Sequence, residues 1–247
     1  MDNNRFHEIF MDKPILGMIH LAGEDPIKQA LEELTIFEEE GVDGAIIENY
    51  CGTIKNVNDT IKEISKRSFK VTIGINILPN EFHLSLPLAR EYGADFVQLD
   101  FVSGRYEGVK DFNFNKYRDI KSNYSDIVVL GGVHPKYYTP IEGSDLKDDL
   151  EIGVQRAEAI VVTGEGTGMK TPLDKIKEFR NTIGDYPLIV GAGLTTETVY
   201  EQLSIADGAI VGTSLKIDDN TINPINRQKV RNFMNEVKRL RKDIKWK

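Results

Sequence analysis

Polar side chains recur along this chain at one kind of position, directly after short apolar runs of the kind that form buried strands. Imidazole and carboxyl groups at such positions can act as general acids or general bases near neutral pH. The residues expected to be catalytic are His20, Glu48, Asp100 and His134. We expect one carboxylate to act as a base, and one histidine to polarise a carbonyl or deliver a proton. These groups predict the chemistry of an isomerase, an epimerase or a lyase.

A second group of polar residues surrounds the same strand ends and predicts contacts to a substrate. The residues expected to bind substrate are Asn49, Asn76, Thr163, Glu165 and Thr167, and Gln98 occupies a similar position. A buried polar group without a partner costs about 1–3 kcal/mol, so a purely structural protein should avoid so many of them at its strand ends. The alternative for each residue is a hydrogen bond that closes the top layer of the sheet. Residues 163–168 form a Gly/Thr segment that either closes over a ligand or is a simple connection.

Two glycine-containing loops follow the last two apolar runs and indicate a phosphate site. Glycine lets backbone N–H groups approach an anion closely, and the loops after strands seven and eight often hold a phosphate in barrel enzymes. Thr195 and Thr196 are predicted to start a helix whose N-terminus adds partial positive charge. The residues expected to bind phosphate are Gly191, Gly193, Gly212, Thr213 and Ser214. The expected ligand is a phosphorylated sugar or nucleotide, and a flavin phosphate in the same loops is an alternative.

Other kinds of site are less well supported by the residue types present. The four catalytic candidates are ligand types that a divalent metal accepts, and such a cation could stabilise an enediolate. They follow four different strands, however, so no local spacing supports a metal and no metal ligand is assigned. The single cysteine, Cys51, excludes an internal disulfide framework and a multi-cysteine zinc or iron–sulfur site. A Schiff-base aldolase is disfavoured because Lys136, Lys170 and Lys216 lie in loops instead of inside strand ends.

The elements that must position these groups are eight apolar runs, each followed by a segment with helical periodicity. The runs are 15–20, 44–48, 71–77, 95–100, 127–131, 159–163, 188–190 and 208–211. They are apolar at nearly every position, which is typical of parallel strands covered by helices. Eight such units in 247 residues predict a (β/α)8 TIM barrel of the α/β class. We expect one domain over 1–247, with a short N-terminal helical extension.

The rival architecture is an open doubly wound sheet, which should carry a glycine-rich fingerprint after its first strand. Residues 18–23 read MIHLAG instead, so the barrel is favoured.

Charge and hydropathy exclude several kinds of partner. Lys and Arg number 31 and Asp and Glu number 39, a net charge of −8. Nucleic acids and anionic membranes bind clustered positive charge, so we expect neither as a partner. No apolar run approaches the roughly 18 residues of a transmembrane segment, and residues 1–13 lack the apolar centre of a signal peptide. We expect a cytoplasmic protein that forms a homo-oligomer, because closed symmetric assemblies are common.

Five stretches resemble a known family in the same order along nearly the whole chain. They are KPILGMIHL (13–21), GVDGAIIENY (41–50), GINILPNE (74–81), VVTGEGTG (161–168) and ADGAIVGTSLK (206–216). These stretches are similar to the BtpA/SgcQ family, and the resemblance implies a ribulose-phosphate-binding-type barrel. One branch of that family is linked to accumulation of photosystem I and described as a membrane-complex biogenesis factor. Another branch travels with sugar uptake and sugar-phosphate genes.

The resemblance therefore implies the fold and leaves two functions open, an enzyme for a phosphorylated sugar and a non-catalytic assembly factor. The chain departs from the family pattern at Asp100, where relatives show Asn, and at Val133, where they show Lys. These departures lie around the expected substrate. The two phosphate loops match the family better than the catalytic end does.

Overall fold

Eight parallel strands close into a barrel in this computed structural model, which describes residues 5–109 and 112–245. Each strand pairs with its neighbours in chain order, and the eighth pairs with the first. The strands are β1 Ile15–Ile19, β2 Gly44–Glu48, β3 Thr72–Asn76, β4 Phe96–Leu99, β5 Val128–Gly132, β6 Ala159–Val162, β7 Leu188–Val190 and β8 Gly208–Val211. The (β/α)8 prediction is confirmed, and the predicted strand ends differ from the observed ones by one residue at several places.

Within the described residues, eight helices cover the outside of the barrel, one after every strand, and a short helix, α1 Phe6–Ile9, precedes β1. The eight helices are α2 Pro26–Glu40, α3 Ile54–Ile64, α4 Phe82–Tyr92, α5 Phe114–Asn123, α6 Leu146–Gly153, α7 Leu173–Ile183, α8 Val199–Leu203 and α9 Arg227–Lys245. Two short 3₁₀ turns at 213–215 and 217–219 separate β8 from α9. Within residues 5–109 and 112–245, no helix combines the length and the apolar character needed to cross a bilayer.

Local sequence explains where some of these helices begin and end. The Asp25 carboxylate accepts the Lys28 N–H and caps α2, whose first residue is a proline. Gly41 ends α2 and Gly93 ends α4, both with left-handed backbone. No side chain caps α7 at Pro172, and the buried Thr171 hydroxyl just before it donates to the Ala192 carbonyl at 3.0 Å.

Side chains alternate between the inside of the barrel and the layer beneath the helices, as the two-residue period of a strand requires. Inward positions form a separate cluster that includes Leu16, Met18, Ile46, Phe96, Val128, Leu130, Ala159, Val161, Ile189 and Ile210. One further step of two residues along each strand reaches the carboxyl end of the barrel. The positions reached there are His20, Glu48, Asn76, Gln98, Gly132, Thr163, Gly191 and Gly212, with Asp100 one step above Gln98. The alternation therefore carries most of the predicted polar set into the barrel mouth.

The opposite end of the barrel is closed by the N-terminal extension. Phe6 and Phe10 are buried and belong to the same inner cluster as the strand side chains. The Phe10 ring lies with its centroid 5.4 Å from that of Phe96, in an edge-on arrangement. The predicted short helical extension is therefore present, and it fills the base of the barrel.

The packing of Phe10 at the base of the barrel predicts that substitutions at two adjacent residues change the free energy of unfolding by very different amounts. Phe10→Ala should lower the free energy of unfolding by about 3 kcal/mol, because it removes a buried ring from a packed core. Met11→Ala, at a side chain that is 87% exposed, should change it by less than about 0.5 kcal/mol. Urea unfolding followed by circular dichroism measures both. A loss below about 1 kcal/mol for Phe10→Ala would show that the plug contributes little.

Candidate functional site

A cavity with two adjoining lobes occupies the carboxyl end of the barrel. The carboxylate lobe has a volume of about 380 Å³ and is lined by Glu48 and Asp100 among others. The glycine lobe has a volume of about 460 Å³ and is lined by the loops after β7 and β8. The residues that line both lobes are Met18, His20, Lys136, Thr167, Gly191 and Ile210. A single small molecule can therefore extend from one lobe into the other.

Glu48 and Asp100 form a pair of acidic groups bridged by an amide. Glu48 is buried, and its Oε2 accepts a hydrogen bond of 3.0 Å from Asn76 Nδ2. Burial, and secondly the charge of Asp100, raise the pKa of Glu48 to about 8. Burial also raises the pKa of Asp100, against hydrogen bonds from Tyr138 and Asn76 and the charge of Lys136. The Tyr138 hydroxyl donates to Asp100 Oδ2 at 2.8 Å.

At neutral pH these surroundings favour a protonated Glu48 beside Asp100, whose carboxyl oxygens can accept a hydrogen bond. Two close carboxyl groups that cannot both ionise can divide the roles of acid and base. The charge of Asp100 contributes to the raised pKa of Glu48, so the protonation of Glu48 depends on that of Asp100.

His20 is held as a neutral imidazole at the wall shared by the two lobes. Burial lowers its pKa to about 3, and the charges of Lys216 and Lys136 act in the same direction. Its Nε2 lies 4.0 Å from Glu48 Oε1, and its Nδ1 has no hydrogen-bond partner in the described part of the chain. A neutral imidazole with a free nitrogen is available to a bound ligand as a donor or an acceptor.

Lys136 is a site residue that the sequence interpretation missed, because it stands four residues beyond the end of β5 and was treated as a loop lysine. It lines both lobes, and its Nζ donates to Thr167 Oγ1 at 3.1 Å. Its backbone N–H donates to Thr163 Oγ1 at 2.7 Å. No other lysine or arginine within residues 5–109 and 112–245 lines either lobe. The nearby run of His, Pro, Lys and two Tyr at a strand end was the signal that could have identified it.

His134 does not join the other catalytic candidates. Its backbone has a positive φ of 44°, and its Nε2 lies 2.7 Å from Asp149 Oδ2 next to α6. Its N–H donates to the Tyr106 hydroxyl at 3.1 Å. It lines neither lobe, so the structure separates it from His20, Glu48 and Asp100.

The residues expected to bind substrate divide into two groups. Asn76 supports Glu48, while Thr163 and Thr167 line the carboxylate lobe and hold Lys136. Asn49 instead accepts the Leu78 N–H at 2.8 Å, and Glu165 is exposed; neither lines a lobe. Gln98 does line the carboxylate lobe, and its Oε1 has no partner within the described residues, as is also true of Asn76 Oδ1.

All five residues expected to bind phosphate line the glycine lobe. Gly193 has a φ of 67°, and a Cβ there would overlap the backbone of Met169, so the position requires glycine. A Cβ on Gly212 would lie 3.0 Å from His20 Cε1. The Ser214 hydroxyl donates to the Leu194 carbonyl at 2.6 Å and ties the two loops together.

The helix predicted to start at Thr195 begins later, at Val199. The Thr195 N–H donates to Thr198 Oγ1 at 3.0 Å, so a local turn uses this group first. The glycine lobe is therefore bounded by loop backbone and by the start of the 3₁₀ turn at 213–215, and not by the N-terminus of α8. Asp219 also lines it and is paired with Lys229 Nζ at 2.8 Å.

A buried ion pair fixes the segment after β8 from below. Lys216 is fully buried, with its Nζ 3.4 Å from Glu33 Oε1. Burial lowers the pKa of Lys216 and raises that of Glu33, whose Oε1 also accepts the Ile225 N–H at 3.1 Å. Lys216 thus anchors the loop after β8 and lines neither lobe of the cavity.

The described residues contain no group of three or more His, Cys, Asp or Glu side chains arranged to hold a metal. His134, which had been counted among four possible ligand types, faces Asp149 instead of the cavity. The donors that remain at the mouth are two carboxylates, one neutral imidazole and amide oxygens.

The raised pKa of Glu48 predicts a pH-dependent stability. Between about pH 5 and 8 the folded protein keeps a proton that the unfolded chain has lost, so the free energy of unfolding should fall as pH rises, by up to about 1.4 kcal/mol per unit. Glu48→Gln should flatten this slope, and the exposed Glu165→Gln should follow the wild type. Urea titrations at pH 5, 6, 7 and 8 compare the three proteins. Equal slopes for wild type and Glu48→Gln would contradict a raised pKa of Glu48 in the folded protein.

Comparison with known proteins gives relatives over nearly the whole chain. The profile of the BtpA family matches residues 11–239. An uncharacterized protein of Methanocaldococcus jannaschii is 29% identical over 94% of this chain and 98% of its own. The photosystem I biogenesis protein BtpA of Synechocystis is 25% identical, over 86% of this chain and 84% of its own.

A solved structure shares the architecture at lower sequence identity. Phosphoribosyl anthranilate isomerase from Thermus thermophilus superposes with a TM-score of 0.64 and 14% identity, over 92% of this chain and 99% of that chain. This likeness concerns the fold alone. The family match extends from the end of the N-terminal plug into α9 and includes every strand of the barrel, and the chain belongs to the BtpA family.

Proposed function

We propose that this protein is an enzyme that binds a phosphorylated sugar or nucleotide and moves a proton on it, in the manner of an isomerase, epimerase or lyase. The observation that carries the proposal is the shared wall between the glycine lobe and the carboxylate lobe. An anionic group held in one lobe directs the rest of the molecule to the acid–base pair in the other.

The phosphate would be bound by backbone N–H groups of residues 192–193 and 212–214, since the Gly191 N–H already donates to the Val162 carbonyl at 2.8 Å. These loops follow β7 and β8, the place where barrels of this kind often hold phosphate, and Gly193 and Gly212 leave room for close approach. The name of the similar barrel, phosphoribosyl anthranilate isomerase, includes a phosphorylated sugar, which agrees with this ligand class.

The proton transfer would use Glu48 and Asp100. A base is most effective when its pKa lies near the working pH, and burial raises the pKa of Glu48 to about 8. Asn76 donates to Glu48 and Tyr138 donates to Asp100, so both carboxyl groups are oriented. His20 would contact the ligand at the shared wall, because it lines both lobes.

The phosphate site can be tested by thermal shift with phosphorylated sugars and nucleotides. A ligand at 100 times its dissociation constant should raise the melting temperature by about 5–10 °C. Gly212→Asp should abolish the shift, because its carboxylate would occupy the lobe beside His20. Gly93→Asp adds the same charge at the other end of the barrel and should keep the shift. A shift that survives Gly212→Asp would place the ligand elsewhere.

The acid–base pair can be tested with the ligand that this screen selects. Exchange of its carbon-bound hydrogen in D₂O, followed by proton NMR, should slow by about 10²- to 10⁴-fold in Glu48→Gln and in Asp100→Asn. Glu165→Gln should exchange at the wild-type rate, since that side chain lies outside the cavity. Unchanged exchange in both cavity variants would reject the acid–base role.

A non-catalytic assembly factor is the second candidate, favoured by the name of the relative called photosystem I biogenesis protein BtpA. Capture of one stoichiometric partner by both wild type and Asp100→Asn, without exchange of any ligand, would favour this reading over the enzyme.

A further inference from the structure

We propose that the Lys136 ammonium group binds the substrate oxygen that becomes negatively charged during proton transfer, and that the substrate is therefore a phosphorylated α-hydroxy carbonyl compound. This inference rests on the proposed function and narrows its substrate class. It also gives a role in catalysis to a side chain that the sequence pattern alone assigned to a loop.

Position is the first argument. Lys136 stands on the wall shared by both lobes, together with His20 and Thr167. A ligand with its phosphate among the glycine loops and its reacting carbon near Glu48 must pass this wall. The ligand atom that faces Lys136 Nζ thus lies between the phosphate and the reacting carbon, or is bonded to the carbon next to the reacting carbon.

Charge is the second argument. Among the described residues, Lys136 is the sole lysine or arginine that lines the cavity. Its ammonium group forms no ion pair within 4.0 Å with an Asp or Glu of the described part of the chain. The other polar groups there are three acids, of which Asp219 is paired with Lys229, a neutral imidazole and uncharged amides or hydroxyls. Only Lys136 can offer a positively charged donor to an oxygen that gains negative charge.

Spare hydrogen-bonding capacity is the third argument. An ammonium group has three N–H donors, and the Thr167 hydroxyl accepts one of them at 3.1 Å. The remaining donors have no hydrogen-bond partner within the described residues, and Lys136 lines both lobes of the cavity. A ligand oxygen could accept a hydrogen bond from one of these remaining donors.

The backbone around Lys136 supports a fixed position for this charge. His134 and Tyr137 have positive φ values of 44° and 68°, which non-glycine residues rarely adopt. The His134 side chain is held by Asp149, and the Tyr137 hydroxyl accepts the Thr167 N–H at 2.8 Å. Backbone strain of this kind persists where surrounding contacts determine the conformation, and it occurs often at functional sites.

The proposed step balances within the protein and one substrate. The ionised carboxylate of the pair takes the proton from the carbon that bears the hydroxyl group. The C–H electron pair forms the new C=C bond, and the π pair of the adjacent C=O moves onto its oxygen. Lys136 donates a hydrogen bond to that oxygen. The protonated carboxyl group then returns a proton to the same carbon from the opposite face, while the electron pair on the oxygen re-forms the C=O bond and the C=C pair forms the new C–H bond. The carbon is therefore inverted, and no oxidant or reductant is needed.

The test compares two probes by isothermal titration calorimetry. Phosphoglycolohydroxamate mimics a planar enediolate that carries a phosphate, and inorganic phosphate reports the glycine lobe alone. Lys136→Met should weaken binding of the hydroxamate by about 10- to 100-fold and leave phosphate affinity within about threefold. Lys136→Arg should recover part of the hydroxamate affinity, because it keeps the charge.

Controls separate failure of this inference from failure of the phosphate site. Gly212→Asp should lose both probes, and Lys147→Met, at an exposed lysine on α6, should lose neither. Equal loss of both probes in a folded Lys136→Met would make Lys136 a phosphate ligand and overturn the inference. Wild-type affinity for the hydroxamate in that variant would also overturn it.

Two further outcomes are decisive. Wild-type protein that binds neither probe would reject the proposed phosphate site and this inference together. Borohydride treatment with dihydroxyacetone phosphate should leave the mass of the chain unchanged. A reduced adduct on Lys136 would show that the amine attacks the carbonyl, and this would overturn the role of a hydrogen-bond donor.

Discussion

Closure of the sheet is the constraint on which the rest of this structure depends. Pairing of Leu16 and Gly17 in β1 with Ile210 and Val211 in β8 leaves no free strand edge. In a closed barrel every second side chain must point to the axis, so the inward series of each strand ends at the same mouth. The apolar members of these series fill the interior, and Phe10 seals the base. The polar members at the mouth then have only one another, or a ligand, as partners.

Crowding of charged groups at that mouth is electrostatically unfavourable. The pKa shifts that result prepare the same groups for acid–base chemistry. Burial opposes ionisation of Glu48 and protonation of His20, which shifts the pKa of the acid upward and that of the imidazole downward. Lys136 offsets part of the penalty, because its charge lowers the pKa of Glu48 and of Asp100. In such a site an acid, a base and a cation can be present together at one pH, each in its own protonation state. The buried Lys216–Glu33 pair belongs to the scaffold beneath it.

Membership of the BtpA family and likeness to phosphoribosyl anthranilate isomerase both extend over most of the chain, but the second concerns the fold alone. Strand order and closure are shared with a barrel that is only 14% identical, because many sequences can fill the same layers. Function depends on the loops at the carboxyl ends of the strands. The loop after β5 contributes to this site, since it turns His134 to Asp149 and brings Lys136 and Tyr138 to the cavity that the carboxylate pair lines.

The sequence by itself determined the features that depend on neighbouring residues. Apolar runs located all eight strands, glycines located the two loops of the glycine lobe, and the two-residue period placed His20 and Glu48 at the mouth. The tertiary structure decided the roles in the loop after β5, because partners distant in sequence determine its backbone. His134 contacts Asp149 and Tyr106, which lie 15 and 28 residues away, and Tyr137 contacts Thr167 across 30 residues. No local pattern encodes the sign of φ that these contacts impose, so the sequence interpretation chose His134 where the structure brings Lys136.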